Sequence, residues 1–156
     1  MREILRKIII YILKIEARMV LFRHRPRIVA ITGSVGKTST KDVIFECLKP
    51  YFYTRKSEKS FNSEIGLPLT ILGLSNAWNN PFKWFWNLFV GLLNFITPKY
   101  PRWLVLEIGI DRPADMKKVA SWLKTDVVVI TKFSRVPVHV EYFDSPEEVI
   151  VEKRLL

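Results

Sequence analysis

The loop between Gly33 and Thr38 constrains this chain more than any other feature. An apolar stretch, Arg27-Ile-Val-Ala-Ile-Thr32, has the pattern of a β-strand, and Gly-Ser-Val-Gly-Lys-Thr and a helix-compatible run follow it. The two glycines permit a tight turn that brings backbone N–H groups close to an anion. A helix that begins near Lys37 directs the positive end of its dipole at the same point. The segment therefore predicts a phosphate-binding loop.

The spacing of this loop differs from that of the general P-loop, which has four residues between its glycines. Here two residues separate the glycines, and Ile31 stands where the longer form would have a glycine. In a loop of this kind Lys37 would reach the terminal phosphates of a nucleotide, and Thr38 would bind a magnesium ion. We therefore predict that the nucleotide is bound by Gly33, Ser34, Val35, Gly36, Lys37, Thr38 and Ser39.

Length and charge restrict the class of protein. At 156 residues with 49% apolar content, the chain is one domain or part of one. A net charge of +10 suits nucleic acid, an anionic membrane or phosphorylated ligands, but no nucleic-acid-binding motif accompanies it, so we do not expect nucleic-acid binding. The single Cys47 cannot form an internal disulfide, and no apolar run has the length of a membrane span. These features predict a cytoplasmic protein, either soluble or peripheral at the inner face of the membrane.

Two predicted helices carry large apolar faces. Residues 1–26 contain a basic amphipathic helix at 2–24, for which packing on a protein domain and contact with lipid headgroups both remain open. Residues 82–97 form an aromatic-rich helix within an apolar insertion at about 78–100. Burial against the sheet and an anionic membrane surface are equally open for this helix. The apolar side of the first helix holds Ile4, Leu5, Ile8, Ile12, Ile15, Met19 and Phe22, and the narrow polar stripe of the second holds Lys83, Asn87, Gly91 and Asn94.

The order of the remaining elements predicts an α/β fold. Residues 103–108 and 126–131 have the pattern of strands, and a helix is expected between them at 113–123, so the sheet should be mainly parallel in a three-layer arrangement. A further short strand is expected at 51–54. Ligands of parallel sheets lie beyond the carboxyl ends of the strands, where Gly33, Glu107 and Thr131 should gather. Because a buried carboxylate is costly without a partner, Glu107 predicts a metal site beside the loop.

Four segments in order resemble the central ATP-binding domain of the Mur ligase family, the ATP-dependent amide-bond-forming enzymes of peptidoglycan synthesis. They are the phosphate loop, the Asn-Ser-Glu-Ile-Gly-Leu-Pro-Leu-Thr stretch within residues 61–70, the Glu-Ile-Gly segment within 106–116, and the His-Val-Glu-Tyr-Phe-Asp-Ser segment with a later lysine within 138–153. The second and third are most similar to the branch that ligates UDP-N-acetylmuramoyl-tripeptide to D-alanyl-D-alanine. Folate and cyanophycin ligases share much of the loop.

The resemblance implies a set of ligands and residue roles. ATP and Mg²⁺ would be the cofactors, Asn62 would join the nucleotide-binding residues, and Glu107 and His139 would hold magnesium together with Thr38. Lys37 would be catalytic, as would Lys153, which occupies the place of a lysine that is carbamylated in several family members. A surface histidine and a solvated helix lysine are the alternatives for residues 139 and 153. The substrates would be a UDP-muramoyl-peptide-like carboxylate and an amino acid or dipeptide.

The resemblance covers only part of a ligase. Residues 27–156 match the first part of the central domain, which predicts an incomplete P-loop-containing α/β domain preceded by an amphipathic helix. The UDP-sugar-binding domain, the adenine-contacting residues and the amine-binding domain of the family have no counterpart in these residues. A membrane-peripheral nucleotide-binding or scaffold module without ligase activity is therefore an alternative, and an inactive fragment is another.

Overall fold

The computed structural model describes residues 2–58, 64–109, 112–132 and 146–156. Helices and strands alternate along most of these ranges, as the sequence predicts for an α/β fold. In chain order the elements are α1 (Arg2–His24), β1 (Arg27–Thr32), α2 (Lys37–Leu48), β2 (Thr54–Lys56), α3 (Gly66–Leu72), α4 (Pro81–Ile96), β3 (Trp103–Glu107), α5 (Asp115–Ala120), β4 (Val127–Ile130) and α6 (Pro146–Lys153).

The four strands form one sheet in the order β2–β3–β1–β4, and every neighbouring pair is parallel. Ile31 of β1 is level with Glu107 of β3, and Thr32 is level with Ile130 of β4. This register brings the carboxyl ends of three strands to one edge, the usual place of a ligand in a parallel sheet. The predicted parallel sheet is confirmed.

Side chains of the central strands alternate between two hydrophobic clusters, as strand geometry requires. Val29, Ile31 and Val105 pack against Ile44 and Leu48 of α2 on one face of the sheet. The opposite face packs in a larger cluster with α1, α3 and α5, which includes Ile28, Ala30, Leu104, Leu106, Leu13, Leu69 and Met116. Helices therefore cover both faces, and the architecture has the three predicted layers.

Helix α1 packs on the domain through a different side from the one that its strongest apolar pattern indicates. Leu13, Ala17 and Val20 are fully buried on the side that contacts α3 and α4. The small Ala17 and the compact Val20 let the neighbouring helices approach closely, which a row of bulky side chains would prevent. Most of the predicted apolar side is exposed instead, at Ile4, Leu5, Ile8, Ile15, Met19 and Phe22.

The largest differences from the predicted boundaries are at β2 and α5. The strand expected at 51–54 begins only at Thr54, because β2 pairs with β3 from Thr54 opposite Trp103 onward. Before that point the Tyr53 carbonyl accepts a hydrogen bond from Arg102 N. Strand formation there depends on a neighbour that the local sequence does not reveal. Helix α5 is shorter than the predicted 113–123, at Asp115–Ala120.

Helix α4 begins where its sequence indicates. The Asn80 side chain accepts a hydrogen bond from the backbone N–H of Lys83, and Pro81 occupies the first turn, where a missing N–H costs nothing. Asn87 and Gly91 of the predicted polar stripe are buried, so the stripe faces the protein. No helix in the described part of the chain is both long and apolar enough to cross a membrane.

Candidate functional site

The predicted loop joins β1 to the start of α2 at the carboxyl edge of the sheet. Gly33 has φ 137°, and a Cβ at this position would collide with the Thr131 side chain and press on its backbone. Gly36 has φ 87° with open space around it, so its requirement is conformational. The two glycines let the chain turn sharply against the end of β4 and start α2 directly after Gly36. Gly33 and Thr131 thus meet as predicted.

Two ammonium groups converge on the loop. Lys37 Nζ donates hydrogen bonds to the carbonyl oxygens of Gly33, at 3.0 Å, and Ser34, at 3.3 Å. Lys153 Nζ donates to the same Gly33 carbonyl at 3.1 Å, although the two lysines are far apart in sequence. The loop therefore carries two positive charges side by side, an arrangement that suits an anionic ligand.

The electrostatics of Lys153 reflect this neighbourhood. Its side chain is buried, and burial together with the smaller effect of the positive charge of Lys37 lowers its pKa from 10.5 to about 8. A solvated helix lysine would have neither property, so the structure contradicts that alternative. A lysine with a lowered pKa is partly neutral near neutral pH and can act as a nucleophile.

The backbone amides of the loop divide into two groups. Those of Ser34 and Val35 donate to the Lys132 carbonyl, at 3.2 and 3.1 Å. The amides at the start of α2 have no side-chain cap within the described residues, since Gly36 occupies the N-cap position. A helix N-terminus without a cap is a binding site for phosphate, because its N–H groups and dipole point at the ligand. The amides of Lys37, Thr38 and Ser39 are therefore the available donors.

A threonine and a carboxylate meet beside this helix N-terminus. Thr38 Oγ1 donates a 2.9 Å hydrogen bond to Glu107 Oε2, across the gap between α2 and β3. The Glu107 carboxylate is nearly buried and also lies 3.6 Å from Lys41 Nζ. The backbone N–H of Glu107 donates to Ser57 Oγ at 3.1 Å. These contacts hold a buried acid in one orientation at the strand end.

The donor set at Thr38 and Glu107 fits a magnesium ion. A hydroxyl and a carboxylate are hard oxygen ligands, and Mg²⁺ commonly uses one or two protein oxygens while water and substrate phosphates complete its coordination. Within the described ranges no group of three or more His, Cys, Asp and Glu side chains gathers as a metal site. Ser34 Oγ is buried and lacks a hydrogen-bond partner among the described residues. Because buried polar groups are normally hydrogen-bonded, this hydroxyl is available to bind a ligand.

The structure brings together most of the predicted site residues. Gly33, Lys37, Thr38, Glu107 and Lys153 surround the loop, and the Val35 side chain and Ser39 are exposed at its rim. Asn62, which is predicted to bind the nucleotide, and His139, which is predicted to bind the metal, lie outside the described residues.

Three further residues belong to this site and were missed from the sequence. They are Lys41, which faces Glu107, Ser57, which fixes the Glu107 backbone, and Lys132, whose carbonyl binds the loop. Lys41 had a detectable signal, since it lies four residues after Lys37 and so on the same side of α2. The other two depend on contacts between distant segments.

Comparison with known proteins relates this arrangement to a group of ligases. No protein-family model matches the chain. The chain is 29% identical over 125 residues to the UDP-N-acetylmuramoyl-tripeptide–D-alanyl-D-alanine ligase of Borreliella burgdorferi, a match that covers 80% of this chain and 22% of that protein. It is 30% identical over 105 residues to the protein of the same name from Bacillus subtilis, which covers 67% and 18%. The chain therefore spans about a fifth of the length of these relatives.

Solved structures give the same picture. The MurF ligase of Thermotoga maritima in complex with ADP matches 94% of this chain and 28% of its own length, with 27% identity and a TM-score of 0.67. MurF from Acinetobacter baumannii matches 92% of this chain and 26% of its own length with the same TM-score, and at 17% identity it supports the fold alone. The similarity thus extends over nearly the whole chain and over about a quarter of each structure.

Proposed function

Since the chain is a relative of the Mur ligases of peptidoglycan synthesis, we propose that it supplies the phosphate-binding part of an ATP-dependent amide-bond-forming ligase. ATP binding is consistent with the ADP complex of the Thermotoga maritima relative. The alternative of a nucleotide-binding scaffold without ligase activity is not favoured, because the relatives described above are named as ligases. The proposal applies to a longer or completed protein, of which these residues form one part.

One observation carries the proposal, the hydrogen bond between Thr38 and Glu107 beside the uncapped start of α2. A glycine turn alone would bind many anions. A lysine, a hydroxyl and a buried carboxylate at the same helix N-terminus form the specific combination that nucleotide phosphates and magnesium require. The ligand set then consists of Lys37, the amides of residues 37–39, Thr38 and Glu107, and Asn62 and His139 are proposed to complete it.

The proposed chemistry has two steps. A substrate carboxylate attacks the γ-phosphate of ATP to form an acyl phosphate and ADP, and an incoming amine then displaces phosphate and leaves an amide. Lys37 would exchange its loop carbonyls for phosphate oxygens, while the amides at the start of α2 hold the phosphates in line. Bound at Thr38 and Glu107, Mg²⁺ would offset the negative charge that develops on the transferred group.

Lys153 has a separate proposed role as a carbamylated lysine. A neutral amine can add CO₂, which forms an N–C bond, releases one proton and leaves a carbamate anion. The lowered pKa, about 8, supplies neutral amine near neutral pH, and the nearby positive charge of Lys37 would stabilise the anion. Intact-mass measurement of the protein in bicarbonate should show an added CO₂ that is absent from Lys153→Arg.

The substrates follow from the names of the relatives. We assign a UDP-muramoyl-peptide-like carboxylate as the acceptor and an amino acid or dipeptide, such as D-alanyl-D-alanine, as the amine. A phosphate-release assay of the completed protein with each amine would identify the pair.

Thermal unfolding with ADP and magnesium tests nucleotide binding by the chain itself. A ligand at one hundred times its dissociation constant stabilises the folded state by about 2.7 kcal/mol, so the melting temperature should rise. Lys37→Ala should lose most of this rise. Lys49→Ala is the matched control, because Lys49 is exposed just after the other end of α2, where its ammonium group pairs with Glu46 and lies over the Phe45 ring. Equal protection of Lys37→Ala and the unchanged chain would contradict the proposal.

A further inference from the structure

Helix α4 has an inverted polarity relative to an ordinary surface helix, which buries its apolar side. Its two asparagines point inward: Asn87 Nδ2 donates to the Ser75 carbonyl at 2.8 Å, and Asn94 Nδ2 donates to the Leu72 carbonyl at 2.7 Å. Gly91 lies against Glu16 of α1. The outward side is apolar, and its exposed side chains are Phe82, Phe85, Trp86, Phe89, Leu92, Leu93 and Ile96.

The exposure of this side is large. Phe82 is 85% exposed and Phe85 is 76% exposed, values that an aromatic ring on a monomeric soluble protein rarely reaches in a cluster. At 100° per residue, the outward residues of α4 fall within one sector of the helix surface and so form a continuous strip. We call this strip, together with Trp78, the aromatic face.

The conformation of Trp78 is independent evidence that the aromatic face is a binding surface. Its φ of 47° is in the left-handed region, which is unfavourable for a bulky residue, yet its side chain is 79% exposed. Two hydrogen bonds hold it there, one from its backbone N–H to Asn76 Oδ1 and one from Trp84 Nε1 to its carbonyl. A strained backbone that presents an indole ring to solvent is typical of a binding position rather than of a packing one.

Helix α1 carries a second exposed apolar stripe. It packs against α4, and its own outward stripe repeats at helical spacing through Ile4, Ile8, Tyr11, Ile15, Met19 and Phe22. On a helical projection Lys7 and Arg18 flank this stripe on one side and Arg23 flanks it on the other. An apolar stripe bordered by cations on both sides is the pattern of a helix that lies in a membrane interface.

Charge identifies the kind of partner. No aspartate or glutamate occurs between Ile65 and Leu106, whereas Lys83, Lys99 and Arg102 do, and the chain carries a net charge of +10. Two cationic faces would repel each other, which disfavours a second copy as the occupant. Exposed tryptophans with lysine and arginine at their borders match the headgroup region of an anionic bilayer, where indole rings and basic side chains concentrate.

From these observations we propose that the aromatic face and the outward stripe of α1 dock the protein on the surface of an anionic lipid bilayer. The helices lie in the plane of the headgroups, with their apolar side chains in the acyl boundary. The two asparagines and the glycine attach α4 to the domain, so the helix can present its apolar side without being detached from the fold. This docking is independent of nucleotide binding at the loop.

Vesicle sedimentation tests the proposal with the 156-residue chain. The chain should sediment with vesicles of phosphatidylglycerol and phosphatidylcholine in equal parts, and remain in the supernatant with phosphatidylcholine alone. The double variant Phe85→Ser with Trp86→Ser should weaken binding at least about tenfold, because both side chains are exposed and provide membrane contacts. Lys83→Gln with Lys99→Gln should weaken it about fivefold per charge and reduce its dependence on salt.

The matched control is Val43→Ser with Tyr51→Ser, two exposed apolar residues on and just after α2 at the other face of the sheet. It should bind like the unchanged chain. Nucleotide protection against unfolding reports separately that each variant is folded. Absence of sedimentation with anionic vesicles overturns the proposal, as does equal loss in the control. Self-association in lipid-free solution that the double variant abolishes would also overturn it, since a second copy would then be the occupant.

Discussion

The carboxylate of Glu16 on α1 lies directly against Gly91 on α4, at the point where the two helices cross. Glu16 Oε2 is buried and has no hydrogen-bond partner among the described residues. Burial raises the pKa of Glu16 from 4.5 to about 7. At this pKa the acid is about half protonated at neutral pH, so we expect the packing of α1 against α4 to depend on pH.

Stability should fall as the pH rises through the range in which Glu16 ionises. The folded state binds this proton more tightly than the unfolded state, so the stabilisation is present below about pH 4.5 and is lost by about pH 7. The free energy of unfolding should fall by no more than about 1.4 kcal/mol per pH unit. Urea unfolding of the chain and of Glu16→Gln across this range is the measurement. A fall of the same size in Glu16→Gln would assign it to another group.

Replacement of Gly33 should disrupt the loop. Gly33→Ala places a methyl group against the Thr131 side chain and backbone at a φ of 137°, where L-residues are strained, so we expect a loss of at least about 2 kcal/mol in the free energy of unfolding. Gly36→Ala is the comparison, since only its φ is unfavourable, and about 1 kcal/mol is expected. Urea denaturation of both variants measures the two losses of unfolding free energy. A larger loss in Gly36→Ala than in Gly33→Ala would contradict the packing described at Gly33.

Loss of the Thr38 hydroxyl should weaken magnesium binding more than it destabilises the fold. Thr38→Val removes the hydroxyl that bonds Glu107 while it keeps the side-chain shape, so the additional thermal protection that magnesium gives to bound ADP should be largely lost. Thr38→Ser retains the hydroxyl and should retain the effect. If Thr38→Val responded to magnesium like the unchanged chain, the ion would have to bind elsewhere.

Lys41 and Glu107 should be energetically coupled. Lys41 is almost completely buried, 3.6 Å from Glu107, and removal of one member of a buried pair leaves a charge without compensation. Lys41→Met alone should cost about 3 kcal/mol in unfolding free energy. The double variant with Glu107→Gln should cost less than the sum of the single variants, by about 1 kcal/mol or more. Strict additivity in this double-mutant cycle would show that the pair contributes nothing.

The positions of several site residues were predictable because their chemistry is local. Gly33, Lys37 and Thr38 are consecutive parts of one turn, and Glu107 ends a strand whose apolar pattern is plain in the sequence. The contact of Lys153 with Gly33 spans 120 positions and was predicted only through the resemblance to a family. Ser57 and Lys132 act through single contacts between distant segments, and no local pattern distinguishes them from other polar residues.

The phosphate loop, the parallel arrangement of the strands and the two faces of each amphipathic helix were predictable from the residues alone, because backbone geometry demands particular residue types and periods at those places. Which face of α1 and α4 turns inward depends on contacts between distant segments. Periodicity defines a polar and an apolar side, but it does not say what each side meets. The carbonyls of Leu72 and Ser75 near the end of α3 need donors, Asn94 and Asn87 supply them, and the aromatic side of α4 is consequently left in solvent.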